Sequence, residues 1–168
     1  LSFYVVFAQC LVALVFAVSA AGKVLGFKAF TKTVADLRVV PRGLVPAAAA
    51  GVVAAEVVTV PLVLVARSAG LLLAGIALLV FAAVAELTAR RGISTACNCF
   101  GATSSRPLGR VHAVRNLALA AVAVVGFAAG ASGPIETGAV VLAVMAAGVA
   151  AIPIIKLDDI VDLFATTA

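Results

Sequence analysis

Charge is what this sequence lacks most: Lys, Arg, Asp and Glu together make up 11% of its 168 residues, and only seven are acidic. Soluble domains are about a quarter charged and about half apolar, whereas here 65% of residues are hydrophobic and mean hydropathy is +1.29. A water-soluble globular domain is thereby excluded. Cysteine is also scarce, three in all, too few for the four-ligand sets that structural zinc and iron–sulfur clusters commonly use. No stretch interleaves aromatic with basic residues, so the formal charge of +5 does not point to nucleic acid. No internal repeat or low-complexity linker divides the chain, and 1–168 reads as a single integral membrane domain.

What is present is apolar sequence in lengths that cross a bilayer. A hydrocarbon core of about 30 Å needs about 20 helical residues at 1.5 Å each, and five stretches qualify: 2–21, 44–66, 69–89, 111–130 and 137–155. The expected fold is an all-α polytopic bundle, four core transmembrane helices plus a fifth, which carries Pro153 near its end. The tail "KLDDIVDLF" after it predicts a short helix at the interface. The chain begins at Leu1 rather than Met, so a missing basic flank carries no topology information. The apolar run from Phe3 to Ala21 exceeds a signal-peptide core and has no evident cleavage site, which predicts a spanning helix.

The cations sit in the connections. Lys23, Lys28, Lys32, Arg38 and Arg42 follow the first span, and Arg90, Arg91, Arg106, Arg110 and Arg115 surround the third connection; the opposite-side turns hold Arg67 alone. By the positive-inside rule those ten cations face the cytoplasm and the amino terminus lies outside. Phe27 and Phe30, set among the first group, predict an amphipathic segment along the membrane surface rather than a free loop.

The third connection also contains "TACNCFGATSS", residues 95–105. In an extended chain, Cα atoms of Cys97 and Cys99 would stand about 6.6 Å apart, near the upper limit for a disulfide. Bond formation therefore requires a turn, which Asn98 and the nearby Gly101 are suited to supply. So small a ring is strained and more easily reduced than a structural staple, which suits exchange chemistry. The loop arginines favour thiolate, the reactive form. Two thiolates also suit a soft metal such as Cu(I), with His112 as a third ligand, and an inert packing role is the remaining alternative. Cys10, inside the first span, reads as a small packing residue or as a third thiol of a relay.

Polar residues inside apolar spans carry the other signal. Glu56 lies near the middle of the second span, where a carboxylate is costly unless neutralised, paired or turned toward a polar cavity. It is either a functional group or a protonated hydrogen-bond donor to a neighbouring helix. Pro46 fits a first helical turn, while Pro61 interrupts the same span further on. Glu86 precedes Arg90 by four residues, the spacing of a surface ion pair. His112, Arg115 and Asn116 open the fourth span on one face, either as interfacial anchors or as the lining of a pocket beside the cysteines.

Four segments resemble the MauE (methylamine utilisation protein E) family of bacterial membrane proteins, related to DoxX-like proteins: "SAAGKVLGFKAF", "AAEVVTVPLVLV", "FAAVAELTARRG" leading into "CNCFGA", and "RNLALAAVAVV". They cover roughly residues 10–125, and "CNCFG" followed by "RN" is the most specific part. The resemblance implies a multi-pass protein of the inner (plasma) membrane doing thiol-disulfide chemistry with a thioredoxin-like partner. Cys97 and Cys99 would be the redox pair, and Lys23, Glu56, Arg115 and Asn116 match pattern positions. In that reading Arg115 favours thiolate and Glu56 moves a proton. A membrane quinone is a candidate electron acceptor, although no residue set in the sequence specifies one.

Two other readings stand beside it: a non-catalytic subunit of a larger membrane complex, packing through its small-residue helix faces, and a soft-metal binding or transport protein. The extra helix and tail, 131–168, fall outside the resemblance, so the pathway served need not be methylamine use. Oxidative folding takes place outside the cytoplasm, whereas the charge rule turns the cysteine loop inward. Either the loop re-enters the membrane, or reducing equivalents come from a cytoplasmic donor, or the topology is inverted.

Overall fold

The computed structural model describes residues 2–93, 95, 108–130, 136–157 and 159–161. Among these there is no strand, and five helices are long and apolar enough to span a membrane. Helix α1 covers Ser2–Leu25, α2 Phe27–Leu37, α3 Val45–Val65, α4 Arg67–Arg90, α5 Arg110–Ala128 and α6 Thr137–Ile155. A 3-10 turn, Arg42–Leu44, leads into α3. All five expected spans are therefore present, and the chain is a multi-pass membrane protein. The Cys97–Cys99 pair lies outside the described residues.

Helix α1 is the hub, packing against α3, α5, α6 and, less extensively, α4, while α4 and α5 pair along their length. The main core joins Leu11, Val12, Val15 and Phe16 of α1 to Val63 of α3, Leu71 and Leu78 of α4, and Leu119 and Ala123 of α5. Without a hydrophobic driving force between helices in lipid, close backbone approach supplies the attraction. Alanines at Ala74, Ala82 and Ala85 on α4, and at Ala113, Ala120 and Ala123 on α5, are accordingly buried. The outward faces remain apolar: Val57, Leu64, Leu72, Leu79, Val114 and Leu117 are all exposed, as lipid requires.

The fifth span is peripheral, as expected. Helix α6 buries only Ala143, Ala147 and Ala151, a stripe at four-residue spacing, and meets α1. Pro153 stands inside it. Beyond it, residues 157 and 159–161 are helical and Lys156 pairs with Asp159 at 2.9 Å, in keeping with the short helix expected there.

The first connection departs from its predicted limits. Helix α1 continues a turn past residue 21, to Leu25, and Gly26 alone separates it from α2. Helix α2 is the expected amphipathic segment: Phe30, Thr33, Val34 and Leu37 are buried, while Lys28 and Lys32 are exposed. Its spacing of i, i+3, i+4 and i+7 turns one apolar stripe onto the bundle. The left-handed backbone of Arg38 (φ 52°) ends it.

A single residue, Ala66, joins α3 to α4, so the two helices meet backbone to backbone at the turn. A Cβ on Gly70 would stand 2.3 Å from the Val63 backbone, whereas one on Gly75 would meet Ala123 Cβ at an ordinary 3.9 Å. Nearby, Gln9 Nε2 donates to the Val63 carbonyl at 3.0 Å and Arg67 Nη2 to the Gly130 carbonyl at 2.6 Å. We expect Gly70→Ala to destabilise by about 2 kcal/mol or more, the scale of forced overpacking. Gly75→Ala should be neutral or stabilising by up to about 1 kcal/mol through helix propensity. Thermal unfolding in lipid nanodiscs checks the contrast, and equal effects at the two positions would contradict so close a contact between Gly70 and Val63.

Candidate functional site

Burying an ion inside a membrane bundle costs several kcal/mol unless a partner and hydrogen bonds compensate it. Glu56 is 1% exposed and Lys23 3%, and each compensates the other. Lys23 Nζ donates to Glu56 Oε1 at 2.8 Å and Oε2 at 2.9 Å. Ser19, one helical turn before Lys23 on α1, donates from Oγ to the same carboxylate at 3.1 and 3.2 Å and accepts from Lys23 Nζ. Two aromatic rings complete the ammonium's surroundings, Phe30 of α2 at 5.4 Å and Phe81 of α4 at 5.8 Å from ring centroid to Nζ. Both lie within cation–π range.

The Glu56 carboxyl group is thus paired with Lys23 and hydrogen-bonded to Ser19 rather than left alone among apolar side chains. The charge count is also corrected, because Lys23 and Arg115 are inside the bundle rather than in solvated connections. Eight of the ten cations remain in or beside the connections, and the asymmetry against Arg67 persists. Lysine reads as a span boundary on hydropathy alone, and its carboxylate partner is 33 residues away.

Helix α5 brings the second half of the site. Arg115 and Asn116 are both buried and, together with Ser19, Lys23 and Glu56, are among the residues that line a cavity of about 280 Å³. Arg115 is close enough to act electrostatically on Lys23. The cavity walls are otherwise mainly apolar, from α1, α2, α3, α4 and Leu108. Of the three residues expected on one face, Arg115 and Asn116 thus take the pocket role. His112, 1% exposed, instead accepts the Gly109 N–H at Nδ1 (3.4 Å) in the first turn of α5.

The flanks of the cysteine segment converge on this region. Leu108 N–H donates to the Thr95 carbonyl at 2.8 Å, and Thr95 Oγ1 reaches Asp36 Oδ2, at the end of α2, at 3.4 Å. No periodicity marks such a tie, so sequence reasoning missed it, as it missed Ser19. Glu86 and Arg90 form the expected i,i+4 pair at 2.7 Å, with Arg110 3.9 Å from the same carboxylate. Cys10 is half-buried against the main core, the position of a packing residue. No group of three metal-binding side chains occurs among the described residues.

A protein-family model described as "Methylamine utilisation protein MauE" matches residues 1–129, which takes in α1 to α5 and leaves α6 outside. No curated protein matches the chain, and no solved structure does.

Removing one member of a buried pair strands the other, at about 3–5 kcal/mol, whereas replacing both with apolar residues of similar size is often neutral. Glu56→Leu alone should therefore lower stability by that amount, and Lys23→Met with Glu56→Leu should recover most of it. A double variant as unstable as the single one in thermal unfolding would show that the carboxylate is needed for something other than its lysine.

Proposed function

The chain belongs to the MauE family, and from that membership and the chemistry around the cavity we propose that it is a thiol-disulfide redox protein of the bacterial plasma membrane. Cys97 and Cys99 exchange two electrons with a thioredoxin-like partner. The observation that carries this reading is the hydrogen bond between Thr95 and Leu108, because it anchors both flanks of the C-x-C segment beside the cavity that Leu108, Lys23, Glu56 and Arg115 line. Two peptide units separate Cys97 from Thr95, so chain length alone limits their Cα separation to about 7 Å.

In the direction that oxidises the pair, one of its thiolates attacks the partner's disulfide, releasing one partner thiolate and forming a mixed disulfide. The second cysteine then attacks the mixed bond, the partner leaves as a dithiol, and the C-x-C disulfide forms. Two electrons and two protons pass to the partner; the reverse sequence returns them. Arg115 stabilises the attacking thiolate, and Glu56, held by Lys23 and Ser19, is the buried carboxylate available to move a proton. A turn-closed C-x-C ring is strained, so the pair is readily reversible.

Two variants separate this reading from its competitors. In Cys97→Ser with Cys99→Ser, exchange with a thioredoxin-like partner should vanish; unchanged function with a stoichiometric copurifying complex would favour a non-catalytic subunit. Arg115→Lys should retain a positive charge but not the planar fork. Its maleimide-labelling curve should then move to higher pH by about one unit, the loss of ~1.4 kcal/mol of thiolate stabilisation. Superimposable curves at equal folded yield would return Arg115 to a purely structural role.

A further inference from the structure

We infer that the groove between α5 and α6 holds one anionic phospholipid from the leaflet on the cation-rich side of the bundle, with an acyl chain in the groove and the phosphate on Arg110. The groove follows from how α6 is attached. Its buried stripe of Ala143, Ala147 and Ala151 seats it on α1, and it makes no extensive contact with α5. A space of about 560 Å³ is left between the two helices, floored by Leu11 of α1. Val114 on its wall is 66% exposed, so the space opens to the surrounding hydrocarbon. Apart from Arg110 and the buried Arg115 its lining is apolar, and an acyl chain fills such a space without stranding a polar group.

The length of the groove selects an acyl chain over a helix. On α5 its lining runs from Arg110 to Val122, about 18 Å at a rise of 1.5 Å per residue. On α6 it begins only at Pro153, in the last turn, and continues to Leu157 just beyond. A hydrocarbon core is about 30 Å thick, so the groove reaches from the interface to about mid-bilayer, the depth of one leaflet. A transmembrane helix from a second copy or a partner needs a face that continues through the other leaflet, whereas here the lining of α5 stops well before the helix ends at Ala128.

The mouth supplies the partner for a headgroup. Arg110 opens α5 with its side chain 79% exposed, and its ion pair with Glu86 is a long one, 3.9 Å, to a carboxylate that Arg90 already holds at 2.7 Å. At the other lip, Lys156 is engaged by Asp159 at 2.9 Å, which leaves Arg110 as the cation for a phosphate. A guanidinium grips phosphate through two parallel N–H groups, and basic residues at the ends of clefts between transmembrane helices are a recurrent seat of anionic headgroups. A zwitterionic lipid would bring its ammonium among the cations of these connections, so the headgroup that fits is the anionic one. Helices α1 and α5 lie within the residues matched by the family model and α6 does not; the lipid thus fills the seam between the shared bundle and its added helix.

Full-length protein in phosphatidylcholine nanodiscs is photolabelled with a phosphatidylglycerol carrying a diazirine in mid-chain, and the labelled peptides are mapped by mass spectrometry. Label is expected on residues 110–122 of α5 and on the end of α6. Unlabelled phosphatidylglycerol should compete about fivefold more strongly than the same amount of phosphatidylcholine, the contribution of one arginine beside an anionic headgroup. Arg110→Gln should erase that preference, whereas Lys28→Gln, which removes an exposed cation of α2, should leave it. Ala118→Phe fills the groove from an exposed position on α5 and should lower labelling at least tenfold; if it does not fold, Val114→Trp serves the same purpose. Label spread evenly over outward faces such as Val57 and Leu64 of α3, equal competition by the two lipids, or labelling unchanged in the filling variants would each overturn the site. A dimer in native mass spectrometry of the same protein, dissociated by Ala118→Phe, would instead give the groove to a second copy. None of these readouts involves the cysteines.

Discussion

The Lys23–Glu56 ion pair is the constraint around which the bundle is arranged. Neither charge is tolerable alone at this depth, so α1 and α3 must meet where the two side chains meet, and Ser19 must lie on the same face of α1. Phe30 and Phe81 then bring α2 and α4 to the ammonium. One interaction thus ties together four of the six helices α1 to α6 among the described residues. Buried ion pairs are poor sources of stability compared with apolar packing; a chain this rich in Ala, Val and Leu could have filled the space with more of the same. A lysine, a glutamate and an arginine are nonetheless retained there, all three buried.

The position of that pair within the bundle gives the chemistry its setting. The amphipathic helix α2 lays its buried stripe across the cavity, and Asp36 at its end holds Thr95, where the cysteine-bearing connection departs. The connection returns at Leu108, two residues before α5 starts, and α5 carries Arg115 and Asn116 to the same cavity. The cavity, its buried polar side chains and the flanks of the cysteine-bearing connection are therefore gathered together. Elsewhere the bundle is closed by plain structural contacts: the α3–α4 turn at Gly70, and the Arg67 bond to Gly130.

Much of this was legible in the sequence, for physical reasons that also explain what was not. Bilayer thickness fixes helix length, so the five spans could be read from hydropathy, and α6 stood apart even there. Glu56 announced itself by its cost. Lys23 did not, because a lysine at the edge of an apolar run resembles a boundary, and only the carboxylate facing it lets the helix continue to Leu25. Arg115 admitted two readings in the sequence; the fold buries it against the cavity, and His112, grouped with it by spacing, accepts the Gly109 N–H in the first turn of α5. Ser19 and the Asp36–Thr95 contact depend on which helices meet, information that no local pattern carries.

The central claim is that the buried charge cluster serves a reversible dithiol at Cys97 and Cys99, and the redox state of that pair in the cell tests it most directly. Cells are quenched in acid, free thiols are blocked with one alkylating reagent, and thiols released by reduction are tagged with a second before the cysteine peptide is weighed. A substantial fraction of the peptide should carry the second tag on both Cys97 and Cys99, and this fraction should fall when cells are treated with reductant. A peptide bearing only the first reagent at both positions, under oxidising as well as reducing conditions, would contradict the claim.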